Sequence, residues 1–271
     1  MTYRHDDTAP IRVTGLRTAF GDTVIHERLD LEIRRGEIVG LVGGSGTGKS
    51  VLLNTILGLN TPAAGTVEVF GHDVHDATAR QQVHTRIGVL FQNGALFSSL
   101  SVRENVEAPM VEHTGLPNDF ISGLAEFKLR MVGLPDDAGS KRPAELSGGM
   151  RKRAGIARAI ALDPELLFLD EPTAGLDPIA AEEFDTMVRG LRDALGLTVF
   201  MVTHDLDTLY ATCDRVAVLA DKKVIACAPL AELERSDHPW MKSYLGGPRG
   251  RAARTTLERS PRADLEREDT A

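Results

Sequence analysis

A run of eight residues in the first fifth of the chain has the composition of a phosphate-binding loop. Its residues are Gly43, Gly44, Ser45, Gly46, Thr47, Gly48, Lys49 and Ser50. Glycines let backbone N–H groups curve around phosphate oxygens, Lys49 can reach the terminal phosphates, and the Ser50 hydroxyl suits Mg²⁺. Val51, which opens the next helix, extends the predicted nucleotide site. A Gly-rich turn is the alternative, and it is disfavoured because the run lies between a strand and a helix.

A second candidate is the acid pair Asp170 and Glu171, which follows the apolar run from Leu166 to Leu169. Carboxylates at the end of a buried strand need a charge partner such as a metal ion. Asp170 therefore suits Mg²⁺, either directly or through water. Glu171 is placed to orient or deprotonate an attacking water. A solvated strand end is the alternative, and this pattern alone leaves it open.

A third candidate precedes a long helix, predicted from Arg151 to Leu162. Ser147, Gly148 and Gly149 lie just before that helix, where backbone N–H groups form an anion site. One chain thus carries two separate phosphate-binding helix starts, which is unusual.

The elements around these residues predict an α/β fold with a helical insertion. Short β-rich runs come first, helical periodicity covers about residues 96 to 161, and buried apolar strands alternating with helices follow. The predicted strands are Ile11 to Leu16, Leu29 to Ile33, Glu37 to Val42, Thr66 to Phe70, Ile87 to Phe91, Leu166 to Leu169, Thr198 to Val202 and Val216 to Leu219. The predicted helices are Val51 to Leu59, Val102 to Glu112, Asp119 to Val132, Arg151 to Leu162, Ile179 to Leu195 and Asp205 to Ala211.

Composition limits the classes of function. A net charge of −8 and a pI near 5.5 argue against a nucleic-acid-coating protein, so no nucleic acid is expected as a partner. The two cysteines, Cys213 and Cys227, have no metal-binding or redox spacing, which indicates reduced thiols. Neither a signal peptide nor a membrane-spanning segment is expected.

The combination and order of these motifs resemble ABC-type ATPases, and the resemblance runs from about Ile11 to Leu245. It implies a RecA-like P-loop NTPase core with an antiparallel β-subdomain at 1–92 and 162–236. It also implies an inserted α-helical subdomain at 93–161. Residues 237–271 form a C-terminal extension, expected to be a largely disordered tail from about 246. In this family the phosphate loop and the signature motif bind one ATP from opposite subunits of a dimer, so a homodimer and the cofactors ATP and Mg²⁺ are implied.

The resemblance also assigns roles to single residues. Phe20 matches the aromatic residue that stacks on adenine, and burial in the core is its alternative. Gln92 matches the glutamine that touches Mg²⁺ and senses the permease, and a polar residue at a helix entry is its alternative. Asp177 matches the loop that crosses the dimer interface. His204 matches the switch histidine at the γ-phosphate, although a lone histidine after a strand is more often structural. With Glu171 and Lys49, His204 completes the catalytic set.

One residue departs from the family pattern. The signature reads Leu146 to Met150, with Met150 in the position where most of the superfamily has glutamine. A thioether donates no hydrogen bond, so any polar contact of that glutamine is in doubt. The contacts of Ser147 and Gly149 are expected to survive.

Further motifs are similar to the MlaF-type ATPases of Mla/Mce lipid-transport systems. They are the signature followed by Arg151, Lys152 and Arg153, the segment from Phe91 to Phe97, and His238-Pro239-Trp240. This implies two integral membrane permease chains and an Mce-type substrate-binding protein. It also implies a peripheral position on the cytoplasmic face of the inner membrane. The alternatives are an ATPase of a small-solute importer and a non-transport ABC ATPase of DNA repair or translation. The single phosphate loop and the absence of heptads disfavour the latter.

Contact with the permease is expected near residues 92 to 100, where Phe97 and Leu100 are candidates. Their alternative is burial in the local core.

Overall fold

The computed structural model describes residues 9–92, 94–247 and 253. Its strands are β1 (Ile11–Phe20), β2 (Thr23–Ile33), β3 (Ile38–Gly43), β4 (Ala64–Val69), β5 (His72–Asp73), β6 (Ile87–Leu90), β7 (Leu166–Asp170), β8 (Thr198–Val202), β9 (Arg215–Ala220) and β10 (Lys223–Ala228). Its helices are α1 (Lys49–Ile56), α2 (Ala77–His84), α3 (Val102–His113), α4 (Asn118–Met131), α5 (Gly148–Ala159), α6 (Pro178–Leu195), α7 (Leu206–Thr212), α8 (Leu230–Leu233) and α9 (Pro239–Leu245).

The larger sheet has the order β10-β9-β3-β8-β7-β6, and every pair except β10 with β9 is parallel. All five residues of β8 are buried. Because helices cover both faces of such a sheet, its central strands are apolar on both sides. This sheet is the α/β core that the sequence predicts.

The smaller sheet is antiparallel and has the order β2-β1-β4-β5. Side chains alternate between buried and exposed at the start of β1, where Ile11 and Val13 face the core. The packing of this sheet brings the middle of β2 against the start of α1, which matters for the phosphate loop below.

The helical insertion begins at α3 with a complete capping box. The Ser101 side chain accepts from the Glu104 N–H, and the Glu104 carboxylate accepts from the Ser101 N–H. Asn105, which is fully buried, bonds both the N–H and the carbonyl of Phe97. The segment that leads from β6 into the helices is therefore held by side-chain hydrogen bonds rather than by a strand partner.

The fold class predicted from the sequence is confirmed, with changes at the level of elements. β2 starts at Thr23 rather than Leu29, and α5 starts at Gly148 because Ser147 caps it. Sequence reasoning missed β5, α2, β10, α8 and α9, which are short or only half-buried. The expected disordered tail lies outside the described residues apart from 246, 247 and 253.

Among the described residues, the structure contains no helix with the length and apolar character needed to cross a membrane.

Candidate functional site

The candidate residues converge at one edge of the larger sheet. Strands β3, β8, β7 and β6 are neighbours and run parallel, so their carboxyl ends lie side by side. Leu41 and Asp170 both pair with Val202, which places the ends of three strands in one row. Parallel α/β sheets bind ligands at this edge. We call it the catalytic edge: the phosphate loop follows β3, His204 follows β8, Asp170 ends β7 with Glu171 directly after it, and Gln92 follows β6.

The phosphate loop, residues 43–50, has a backbone that requires glycine at its end. Gly48 has φ +99°, and a Cβ there would lie 2.4 Å from Ile25 Cγ2 and 2.7 Å from His26 Nε2. The Thr47 hydroxyl donates to the Gly44 carbonyl at 2.9 Å. The loop therefore turns tightly into α1 while β2 packs directly beneath it, and the N–H groups at the start of α1 can bind an anion.

Lys49 lies over this loop. Its Nζ donates to the carbonyls of Gly43 at 2.9 Å and Gly44 at 3.1 Å. Burial lowers the pKa of Lys49, while the charge of Glu171 opposes that change. The Lys49 ammonium is thus held next to the loop, where it interacts electrostatically with the Glu171 carboxylate.

The two acids at the carboxyl end of β7, Asp170 and Glu171, lie in different environments. Burial, and then the charge of Glu171, raise the pKa of Asp170. A half-buried carboxylate in this position is stabilised by a cation, so the donor set fits Mg²⁺ held by the Asp170 carboxylate and the Ser50 hydroxyl. In the described part of the chain, no group of three or more His, Cys, Asp or Glu side chains is arranged to hold a metal ion.

Glu171 and His204 are in direct contact. Nδ1 of His204 lies 2.7 Å from Oε2 of Glu171, and the His204 side chain is 70% exposed whereas that of Glu171 is 16% exposed. Glu171 has φ +47°, a left-handed conformation that is uncommon for a non-glycine residue. Its N–H donates to the Val202 carbonyl at 2.8 Å. A strained backbone fixed from the next strand therefore aims this carboxylate at the histidine.

Lys152 is a residue of this site that the sequence did not reveal. It is buried on α5, and its Nζ donates to the carbonyls of Glu171 at 3.1 Å and Pro172 at 2.5 Å. Burial lowers the pKa of Lys152, and Glu171 opposes this. Lys152 lies two residues after the signature, but nothing in the sequence pattern indicates that its partners are the backbone carbonyls that follow β7.

Phe20 and Gln92 both lie at the surface. Phe20 ends β1 and is 55% exposed, so it does not belong to the core. Gln92 is exposed in a turn after β6, and the next helix starts only at Val102, so it is not a helix-entry residue. Arg158 of α5 holds the same loop by donating to the carbonyls of Gly94 and Ala95.

The signature loop, residues 146–150, does not join the catalytic edge within one chain. Ser147 is exposed and caps α5 by accepting from the Met150 N–H at 3.2 Å. Asp177 caps α6 by accepting from the N–H groups of Ile179 and Ala180. Within the described part of the chain, neither side chain bonds to the phosphate loop. Ile179, next to Asp177, is 72% exposed.

The departure at Met150 has a packing explanation. The Met150 side chain packs against the apolar cluster formed by the helical insertion and the inner face of the larger sheet. An unbranched thioether suits such an irregular apolar gap. Its backbone N–H still donates to the Ser147 hydroxyl that caps α5.

Together, the phosphate loop, the acid pair and the histidine at adjacent strand ends define a P-loop ATPase with an outward-facing signature loop. The family model described as "ABC transporter" matches residues 26–174. The chain therefore belongs to the ABC transporter family, as its motifs predicted, and it is an ABC-type ATPase.

Curated relatives cover most of the chain. The "Intermembrane phospholipid transport system ATP-binding protein MlaF" of Haemophilus influenzae is 40% identical over 239 residues, which cover 88% of this chain and 90% of that protein. Its Escherichia coli K12 counterpart is 38% identical, with coverage of 84% and 85%. The "Probable ribonucleotide transport ATP-binding protein mkl" of Mycobacterium leprae is 38% identical, with coverage of 88% and 69%.

Solved structures agree with this assignment. The cassette cbiO1 from Clostridium perfringens, part of an ABC transporter complex, superposes with a TM-score of 0.77 at 29% identity, covering 93% of this chain and 99% of that one. A dimeric ATP-binding cassette in a post-hydrolysis state bound to ADP and Pi gives a TM-score of 0.73 at 28% identity, covering 81% of this chain and 98% of that one.

Proposed function

We propose that this chain is the ATP-hydrolysing subunit of a transporter that moves phospholipid or another hydrophobic molecule across the bacterial envelope through a separate permease. The observation that carries the cargo is the similarity to MlaF along nearly the whole of both chains. The division into a core at 1–92 and 162–236, a helical subdomain at 93–161 and an extension at 237–271 is part of the same proposal. The mutual packing of α3, α4 and α5 supports it.

The working unit is a homodimer that closes on ATP. One subunit holds ATP on its phosphate loop, and the partner subunit covers the same nucleotide with its signature loop. The outward position of Ser147 and the exposure of Ile179 support this arrangement, because both would be buried only against a second copy. ATP stabilises the closed dimer only by its greater affinity for that state, and hydrolysis removes the difference.

Each nucleotide contact has a named residue. Phe20 stacks on adenine, and the loop N–H groups from Gly43 to Val51 with the Lys49 ammonium bind the phosphates. Ser50, Asp170 and Gln92 would hold Mg²⁺, which would supply positive charge next to the phosphates. Ser147, Gly148 and Gly149 of the opposite subunit bind the γ-phosphate with the start of α5, and Asp177 faces the interface.

Hydrolysis is an in-line displacement at the γ-phosphorus. Glu171 accepts a proton from water as the water oxygen forms its bond to phosphorus, and the bond to the ADP oxygen breaks. His204 orients the Glu171 carboxylate and contacts the γ-phosphate. Lys49 stabilises the charge that develops on the phosphoryl oxygens.

The permease docks at the groove beside the segment after β6. Phe97 is 57% exposed there, Leu100 is half-buried, and Arg158 holds the preceding carbonyls in place. Two permease chains would each insert a short helix against one ATPase subunit, and an Mce-type protein would present the lipid. This places the chain at the cytoplasmic face of the inner membrane as a peripheral subunit.

A second cargo class is favoured by one comparison. The Mycobacterium leprae relative is named for ribonucleotide transport, which would make the cargo a polar anion. The ATPase site does not distinguish a hydrophobic cargo from a polar one because it does not contact the cargo. Small-solute import is therefore the competing function.

The experiment is affinity purification of the full tagged chain from detergent-solubilised membranes, followed by mass spectrometry of proteins and lipids. We expect a permease, an Mce-type protein and bound phospholipid. Recovery of a permease with a solute-binding protein would indicate that the cargo is a small solute instead. Recovery of ribosomes or DNA without any membrane protein would refute the transport function. The Phe97→Ser variant should lose the permease, whereas Phe120→Ser, an equally exposed change on α4, should retain it.

A further inference from the structure

The helix α9 contacts two loops of the catalytic edge at once. The Tyr244 hydroxyl donates to the His204 carbonyl at 3.1 Å. A Cβ at Gly44 would lie 3.7 Å from the Trp240 indole nitrogen, so the indole lies against the phosphate loop. The two rings stack with centroids 4.6 Å apart and planes 19° apart. One aromatic pair therefore bridges the loop after β3 and the loop after β8.

The neighbouring face of α9 is fixed in an apolar cluster against which Trp240 and Tyr244 also pack. Met241 and Leu245 are 3% and 7% exposed, and they share this cluster with Val42, Leu206 and Leu209. Val42 immediately precedes the phosphate loop, and Leu206 follows His204 by two residues. Because the i and i+4 positions of a helix share a face, Trp240 and Tyr244 point together toward the catalytic edge.

The start of α9 is also anchored. His238 caps the helix when its Nδ1 accepts from the Trp240 N–H at 3.3 Å, and its Nε2 lies 3.6 Å from the Asp221 carboxylate in the turn between β9 and β10. Pro239 occupies the first helical position, where no N–H is needed. The His238-Pro239-Trp240 motif thus orients the helix and with it the aromatic pair.

We propose that α9 is a positioning element of the ATPase site, in which Tyr244 fixes the backbone of the switch histidine and Trp240 supports the phosphate loop. The proposal rests on the proposed role of His204 and adds residues outside the nucleotide-contacting motifs. In this role Tyr244 and Trp240 act through His204 and Gly44.

The chemistry of Tyr244 fits this role. Burial, and then the negative charges of Asp205 and Glu171, raise the pKa of its phenol. The hydroxyl therefore remains a hydrogen-bond donor throughout the pH range of enzyme activity. A carbonyl accepting from such a donor holds the His204 backbone still, and with it the contact between Nδ1 and the Glu171 carboxylate.

The first test compares Tyr244→Phe with Tyr210→Phe in the full chain. Both changes remove one hydroxyl from the same cluster, but the Tyr210 hydroxyl donates to Glu234 at 2.5 Å, away from the catalytic edge. We expect kcat for ATP to fall about fivefold to tenfold in Tyr244→Phe with KM nearly unchanged, because one positioning hydrogen bond is lost. Tyr210→Phe should keep kcat. Equal kcat values in both variants, or equal losses that follow the melting temperature, would overturn the role of Tyr244.

The second test uses Trp240, the single tryptophan of the chain. MgATP should shift its fluorescence in the Glu171→Gln variant, and adding Lys49→Ala should move that shift to about tenfold to hundredfold higher MgATP concentration. Absence of a shift while calorimetry records ATP binding would overturn the role of Trp240.

A His204→Ala variant run in parallel separates the proposed catalytic role of His204 from the proposed positioning role of α9. If it retains full activity, the proposed function of His204 fails; if it is inactive while Tyr244→Phe is normal, only the role of α9 fails.

Discussion

The His204 imidazole and the Glu171 carboxylate form a direct polar contact at the catalytic edge, with Nδ1 and Oε2 2.7 Å apart. An ionised carboxylate can only accept, so Nδ1 carries the proton in this contact. The opposite ring nitrogen, Nε2, is then directed away from Glu171. One pair of side chains thereby fixes the orientation of the histidine and engages one of the two carboxylate oxygens, which leaves Oε1 as the atom suited to accept a proton from water.

The Glu171→Gln variant tests this assignment. An amide cannot accept the proton of the attacking water, so kcat should fall about 10²-fold to 10⁴-fold while ATP still binds. The variant should accumulate as an ATP-dependent dimer in size-exclusion chromatography. Glu165→Gln, a change of the same chemistry in the ion pairs with Arg35 and Arg86, is the control and should turn over normally. Turnover near wild type in Glu171→Gln would remove this residue from the base role.

The Lys49→Ala variant tests the phosphate loop. Lys49 supplies the ammonium over the loop carbonyls, and charged hydrogen bonds contribute about 1.5–3 kcal/mol each. Removing it should weaken ATP binding about tenfold to a hundredfold in isothermal titration calorimetry. Lys223→Ala, on the exposed edge of β10, should bind ATP as wild type does. Unchanged affinity in Lys49→Ala would show that the phosphates bind elsewhere.

The Lys152→Met variant tests the link between α5 and the catalytic glutamate. Methionine keeps the apolar stem but leaves the carbonyls of Glu171 and Pro172 without their donor, at a cost of about 1–3 kcal/mol. We expect kcat to fall about tenfold and the ATP dissociation constant to stay within about twofold. Lys141→Met, which breaks only the exposed pair with Asp137, is the matched control. Equal activity of the two variants would contradict a positioning role for Lys152.

Residues at the catalytic edge were predictable because each functional residue type comes directly after a strand that the sequence pattern also predicts. The strand Thr198 to Val202 was predicted with its observed bounds, since an apolar run buried on both faces has few alternatives. The phosphate loop and the acid pair directly follow such strands. For these residues, the order of the chain and the parallel topology were enough to indicate that they meet.

Other parts of the site depend on contacts that no local pattern encodes. Lys152 and Tyr244 bind backbone carbonyls, which every residue has, so neither partner can be recognised from residue types. The helix α9 has seven residues, too few for a clear helical period. Met150 departs from the expected signature, and the sequence does not reveal that its side chain packs against the apolar cluster.

A buried acid on α6, Asp185, predicts a pH-dependent stability. Burial raises the pKa of Asp185 to about 7, with a Thr208 hydrogen bond opposing and the charge of Asp205 adding to the effect. The folded state thus binds a proton that the unfolded state has lost, and this stabilisation declines as pH rises from about 4 to 7. Asp185→Asn should therefore be more stable than the wild type at pH 8 by a few kcal/mol and nearly equal to it at pH 4.

Chemical denaturation at several pH values measures this difference. Glu182→Gln, an exposed change on the same helix, should shift stability equally at all pH values. A constant offset between Asp185→Asn and the wild type would mean that Asp185 is ionised throughout and stabilised by its neighbours.

The histidine beneath the phosphate loop, His26, predicts the opposite pH dependence: its contribution to stability falls as the pH falls. His26 is fully buried, its Nδ1 lies 2.7 Å from the Thr18 hydroxyl, and burial lowers its pKa to about 4. Between pH 6.5 and 4 the unfolded state binds a proton that the folded state excludes. This residue therefore stabilises the fold less as pH falls through that window, by roughly 3 kcal/mol in total.

The free energy of unfolding of His26→Leu should decline less steeply over the same range, whereas His113→Gln, at the exposed end of α3, should follow the wild type. Identical slopes for His26→Leu and the wild type would show that His26 becomes protonated within the folded protein, and the phosphate loop above it would then carry a positive charge on its inner side at acidic pH.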